Sequence, residues 1–212
     1  MFIPLVDLLR CPRGHDDTWL VASIDESVDR DIVRGTLGCP ICLAEYPIRE
    51  GVVEFDDAAP PAIPIQAAPR EDDAIRLAAA LDLTDARMTA LLHGAWGAYA
   101  PILRGVTPAQ LLLVNPPRGL TSGDGVSIVQ SGRVAAVAHS AVAAVALDAG
   151  AGPPMVESLV ASLKPGARML GQARTPIPDG LTELARDEDV WVAQRDTAAA
   201  PSAPVTLTRR SH

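Results

Sequence analysis

The sequence predicts an α/β protein in two parts, a small cysteine-paired ribbon followed by an α/β sandwich, and three observations predict it. All three cysteines of the 212-residue chain fall near its start, within Cys11-Pro-Arg-Gly-His15 and Cys39-Pro-Ile-Cys42. A Pro-rich stretch then covers residues 56–70, with Pro60, Pro61, Pro64 and Pro69. Beyond it, continuous apolar runs alternate with helical patterns, as expected of strands buried on both faces of a parallel sheet.

The first part reads as residues 1–55. Leu5–Arg10 forms a short apolar helical turn that leads into the first cysteine loop. Zinc takes four donors in a tetrahedron, and two short loops offering two ligands each are a common way to supply them. The second loop is a C-x2-C pair, and the first is C-x3-H, one residue longer than the usual knuckle. A proline after the first cysteine of each loop, and Gly14, suit tight turns. Cys11, His15, Cys39 and Cys42 are therefore the expected metal ligands. Four protein ligands leave no open position for water, which makes the zinc structural; iron is the other metal such sulfur-rich donors take. Trp19–Ile24 and Thr36–Gly38 read as strands around an acidic hairpin (Asp25, Glu26, Asp29, Asp31), and Glu45–Phe55 as a hairpin turning at Gly51.

Prolines remove backbone donors and hold a chain extended, so residues 56–70 read as a semi-rigid linker to a second domain, residues 71–212. Glu71–Leu83 carries Ile75, Ala78 and Leu81 on one helical face. Met88, Leu91, Leu92, Ala95, Trp96, Tyr99, Ile102 and Leu103 fall on a broader stripe, predicting a helix capped at Thr84 or Asp85 and ended by Gly105. Gln110–Asn115, Val126–Gln130 and Val142–Asp148 read as buried strands, and Pro153–Leu163 as a helix with proline in its first turn. Arg168–Ala173 reads as a strand, Leu181–Arg186 as a short helix, and Val190–Gln194 with Val205–Arg209 as a closing hairpin.

Composition narrows the function classes. Hydrophobic residues make up 48% of the chain but aromatics only 3%, so the core is built of Ala, Val and Leu. The net charge is −8 and no basic cluster exceeds Arg209-Arg210, which disfavours direct binding of nucleic acid. No cysteine is left over for a disulfide, and MFIPLVDLLRCP has neither a basic leader nor a small-residue cleavage site. The Val134–Leu147 run is broken by His139 and Ser140 and is too short to cross a bilayer. These features predict a cytoplasmic protein with no membrane partner.

From LVDLLRCP to GCPICLAEYPIREGVVEF, about a quarter of the chain, the N-terminal part resembles the small zinc-ribbon family of tRNA-methyltransferase activators. Its most specific stretch is Tyr46-Pro47-Ile48-Arg49-Glu50-Gly51-Val52. That family uses four cysteines; Cys11, Cys39 and Cys42 match, Gly14 stands at the fourth place, and His15 is the adjacent donor. The resemblance implies a protein partner, a methyltransferase or a larger assembly; for a scaffold protein, binding is expected from the apolar Tyr46–Val53 hairpin and from an exposed sheet edge. The C-terminal part is similar to Rossmann-like methyltransferases that use S-adenosylmethionine, through VAAVALD and SLKPGARMLG. With Gln110–Asn115 aligned as the first strand, the cofactor loop looks eroded. Leu113 stands where an acid is expected, Asn115 and Pro117 where glycines are expected, and Gly119 alone survives. Six residues between Gly119 and Val126 leave no room for a crossover helix, and Gln130-Ser131 lacks the acid that would take ribose hydroxyls.

Two functions follow. The first is a non-catalytic, zinc-binding accessory or scaffold protein. The alternative is an S-adenosylmethionine-dependent methyltransferase with an atypical loop, in which Asn115, Gly119 and Asp148 would bind cofactor. Asn115-Pro116-Pro117 is similar to the Asn-Pro-Pro-aromatic motif of amino- and amide-N-methyltransferases, with Arg118 in the aromatic position. Gly119-x3-Gly123-x-Gly125 precedes no helix and reads as a turn. His93, Trp96 and Tyr99 read as packing residues, His139 as a buried hydrogen-bonded histidine, and Asp148 as a strand-end cap under the first function.

Overall fold

The computed structural model describes residues 1–55 and 68–197. The ribbon contains α1 (Ile3–Val6), β1 (Val21–Val28), β2 (Asp31–Gly38), β3 (Glu45–Arg49) and β4 (Val52–Glu54). Glu50 and Gly51 turn β3 into β4 with φ of 51° and 75°, the left-handed pair that a tight two-residue hairpin needs. After the Pro-rich segment come α2 (Glu71–Ala80), β5 (Thr89–His93), a 3₁₀ segment (Gly94–Tyr99), α3 (Ala100–Val106), β6 (Gln110–Val114) and β7 (Val126–Gln130). Then follow β8 (Val142–Leu147), α4 (Pro153–Ser162), β9 (Leu163–Gln172), β10 (Leu181–Arg186) and β11 (Val190–Arg195).

All eleven strands form one sheet in the order β1-β2-β3-β4-β7-β6-β5-β8-β9-β11-β10. From β7 to β9 the pairing is parallel, and β11 and β10 close the far edge antiparallel. Counted from β5, the parallel strands run 3-2-1-4-5, the Rossmann-like doubly wound order that reverses direction beside the first strand. Apolar side chains cover both faces. Leu77, Leu81, Leu103, Leu111 and Leu113 pack under α2 and α3, while Leu112, Val129, Leu159, Met169 and Trp191 pack on the other side with α4.

Three sequence expectations change here. The Met88–Leu103 stripe is not one helix. Thr89–His93 is wholly buried and forms the central strand, and Gly94, with φ of 63°, ends it. A strand in a sheet covered twice is buried on both faces, and five buried residues followed by a 3₁₀ turn and a helix imitate a 3.6-residue stripe. Leu181–Arg186 is a strand, because Trp191 and its neighbours in β11 offer it a ladder that outweighs its helix-forming composition. The Val205–Arg209 segment lies outside the described residues.

The third change concerns how the parts are joined. Strand β4 pairs in parallel with β7, Val52 opposite Ile128 and Val53 opposite Val129, and the amide of Phe55 donates to the carbonyl of Gln130 at 2.9 Å. One core holds Tyr46, Ile48 and Val53 of the ribbon together with Leu112, Val129 and Met169. Residues 1–55 and 71–197 therefore contribute to one continuous sheet; residues 56–67, most of the expected linker, lie outside the described residues. The Tyr46–Val53 hairpin, expected to present an apolar docking surface, is spent in this contact: Tyr46 is 4% exposed, Ile48 and Val53 fully buried.

Candidate metal centre and strand-end cleft

The two cysteine loops converge. The ligand atoms of Cys11, His15, Cys39 and Cys42 all lie within 4.8 Å of one another. Zinc–sulfur bonds of about 2.3 Å at tetrahedral angles put two sulfurs about 3.8 Å apart, and a sulfur and an imidazole nitrogen about 3.5 Å apart. Cys11 Sγ and Cys42 Sγ are separated by 3.7 Å, and Cys39 Sγ and His15 Nε2 by 3.4 Å. The donor set thus fits zinc in type, number and spacing. His15 Nδ1 lies 2.7 Å from the carbonyl of Asp16, the contact that leaves Nε2 free to ligate. The backbone amide of Ala44 first, and the neighbouring donors after it, hold the Cys42 thiol down to about 6, while burial pushes that of Cys11 up. The hydroxyl of Tyr46 sits 3.1 Å from Cys11 Sγ as a supporting contact. Directly before Cys11, the amide of Arg10 donates to Ala136 and that of Ala138 to Leu8, which fastens the first loop to the segment between β7 and β8.

At the carboxyl ends of the parallel strands the sequence candidates divide. Asn115 and Asp148 end β6 and β8, the strands on either side of β5. Gly119 is elsewhere, exposed, in a hollow that also contains Arg104 and Asp124. The loop after the first parallel strand is Gly94-Ala95-Trp96-Gly97, which the sequence reading had placed inside a helix. The two glycines are the signal that could have revealed it, since each weakens a helix interior by roughly 1 kcal/mol.

This loop is held shut by the chain's own groups. Asp148 accepts the amide of Ala95 through Oδ2 at 3.0 Å and that of Gly150 through Oδ1 at 2.7 Å. The indole of Trp96 donates to the carbonyl of Leu147 at 3.0 Å, laying the ring across the end of β8. A Cβ on Gly97 would stand 2.7 Å from Pro116, so the loop also rests on the Asn-Pro-Pro turn. Asn115, buried with φ of 52°, donates its amide to the carbonyl of Ser131 and accepts the amide of Ser131, at 2.7 and 2.8 Å. His93, at the end of β5, is 5% exposed with Nδ1 unpartnered among the described residues. Burial lowers its pKa, and the Asp148 charge only partly opposes this, so it is neutral near pH 7. His139, expected to be buried, is exposed.

No protein-family profile and no curated protein matches the chain. Solved structures with a similar fold are methyltransferases. An S-adenosylmethionine-dependent O-methyltransferase from Thermotoga maritima has 13% identity, covers 66% of this chain and 69% of its own, and superposes with a TM-score of 0.45. An RNA methyltransferase from Salinibacter ruber, in complex with S-adenosylhomocysteine, has 14% identity, 64% and 98% coverage and a TM-score of 0.44. A tRNA methyltransferase from Aquifex aeolicus has 11% identity, 84% and 97% coverage and a TM-score of 0.45. These likenesses concern the fold. No helix among the described residues is long and apolar enough to cross a membrane.

Proposed function

We propose that this chain is a zinc-braced protein of methyltransferase-like fold that works as a non-catalytic scaffold or accessory subunit for a protein partner. The closed strand-end loop carries the reading. A cofactor lying across the first-strand loop needs bare backbone there. Here Trp96 fills the loop and is fixed to Leu147, while both the amide nitrogen and the oxygen of Asn115 are engaged with the backbone of Ser131. The ribbon braces its own sheet through the β4–β7 pairing, so a partner meets other surfaces. The large exposed apolar residues of the ribbon are Ile3 in α1, Trp19 before β1, Val21, Ile24 and Val28 along β1, and Ile41 and Leu43 at the second cysteine loop.

A second reading, an S-adenosylmethionine-dependent methyltransferase, is favoured by one correction to the sequence alignment. The first parallel strand is β5, it is followed by Gly94 and Gly97, and α3 supplies its crossover helix. Two of the three objections raised from sequence, the absent glycines and the absent crossover, therefore lapse. Calorimetric titration of S-adenosylmethionine into the zinc-loaded full chain separates the readings. The scaffold reading expects no heat at millimolar ligand, and saturable one-to-one binding refutes it. Titration of Trp96→Gly then shows whether the indole alone blocks the site.

A further inference from the structure

We infer that a cavity between α4, the end of β8 and the turn after β9 binds a small organic amine, an ammonium group carried on an apolar body. The cavity is a cleft open to solvent on one side, of about 660 Å³, within the range that holds small molecules. Leu147, Val156, Val160, Pro176 and Pro178 give it apolar walls, and the two prolines stiffen the turn that forms one side.

The polar groups on those walls are mostly acceptors. Asp148 is 8% exposed, and the amides of Ala95 and Gly150 fix its carboxylate in place. Each of its oxygens keeps a further lone pair for a ligand donor. Glu157, on α4, and Asp179, in the turn after β9, are exposed residues that also line the cavity. The one cation, Arg195, turns Nη1 toward the carbonyls of Ala161 and Leu163 at the end of α4 and toward the hydroxyl of Ser140. Thr175 donates its hydroxyl to Gln172 and receives the indole of Trp191. Three carboxylates and one guanidinium line the cavity, and the guanidinium is engaged with helix-end carbonyls. A carboxylate or phosphate ligand would meet like charge there, and a charged donor meets complementary acceptors. This assignment rests on the scaffold reading, under which no cofactor occupies Asp148.

The test uses three molecules of similar shape, tryptamine, tryptophol and indole-3-propionate, titrated into the zinc-loaded full chain without S-adenosylmethionine. Tryptamine is expected to bind saturably, tryptophol at least about tenfold more weakly, as the loss of a charge-assisted contact implies, and indole-3-propionate not at all. Val160→Trp, which fills the cavity from α4, abolishes tryptamine binding. Glu157→Gln, an exposed change that leaves folding intact, weakens tryptamine several-fold and leaves tryptophol unchanged. Equal affinity for tryptamine and tryptophol, insensitivity to Glu157→Gln, or no binding of tryptamine by folded wild-type protein overturns the assignment.

Discussion

Asn115 is where a structural and a ligand-binding role make opposite predictions. Its side chain forms two hydrogen bonds to the backbone of Ser131, and both residues are buried, Asn115 at 6% and Ser131 at 0% exposure. Replacing it with Ala strands a buried carbonyl and a buried amide, at about 1–3 kcal/mol each. The backbone at φ of 52° adds about 1–2 kcal/mol, because Asn tolerates the left-handed region and Ala does not. Asn115→Ala should therefore lose about 3–8 kcal/mol, a large share of the roughly 5–15 kcal/mol that holds a typical domain folded. Asn115→Gly removes the same hydrogen bonds and relieves the dihedral. After its greater unfolded-state entropy is counted, it should stand about 0.5–1 kcal/mol above the Ala variant. Urea unfolding followed by tryptophan fluorescence measures both, since Trp96 and Trp191 lie in the sheet region. A loss below about 1 kcal/mol in Asn115→Ala, or identical Gly and Ala variants, would refute the bracket between β6 and β7 and return Asn115 to the list of ligand-binding residues.

Other outcomes follow from the same geometry. Chelating the metal, or changing Cys39 to Ser, should loosen β6 and β7 together with the ribbon, because β4 lies in the sheet; hydrogen exchange that stayed slow at Ile128 and Val129 would contradict the shared core. Gly94→Ala places a Cβ 2.7 Å from Cβ of Asp148 at a φ of 63°, and should cost about 2–5 kcal/mol by denaturant melt; a cost under about 1 kcal/mol would mean the loop steps aside freely. His93 is buried neutral with its pKa lowered, so the unfolded chain binds its proton more readily. The stability it contributes is complete above about pH 6.5 and is lost as pH falls through the lower folded value. His93→Gln should flatten that acid limb, and an unchanged slope below about pH 6.5 would assign the limb to other groups.

Local chemistry was legible in the sequence where short spacing decides structure. Cys11, His15, Cys39 and Cys42 announced themselves by pairing, and Gly51 marked its hairpin because only a left-handed turn closes two residues. The buried strands Gln110–Val114 and Val142–Leu147 followed from unbroken apolar runs. The central strand did not. Leu91, Leu92, Trp96 and Tyr99 sit at helical spacing by coincidence of a strand, a 3₁₀ turn and a helix in succession, and Gly94 and Gly97 were the only contrary marks. Taking Gln110–Asn115 as the first strand therefore puts the first-strand loop one strand away, at Gly119 instead of Gly94. The pairing of β4 with β7 had no signal at all. Three residues, Val52–Glu54, carry no record of a partner more than seventy positions away.

That separation also sets an order of events during synthesis. The ribbon leaves the ribosome with β4 as an unpaired edge, and β7 emerges only later. In the interval Ile48 and Val53, fully buried in the finished sheet, face water beside open backbone groups, the arrangement that recruits foreign strands. Pairings of such long range close slowly, because loop entropy must be overcome before any contact forms. Metal captured at the two cysteine loops would hold the ribbon's turns in place over this interval, so zinc supply during translation would govern how much of the nascent chain aggregates, apart from any effect on the mature protein.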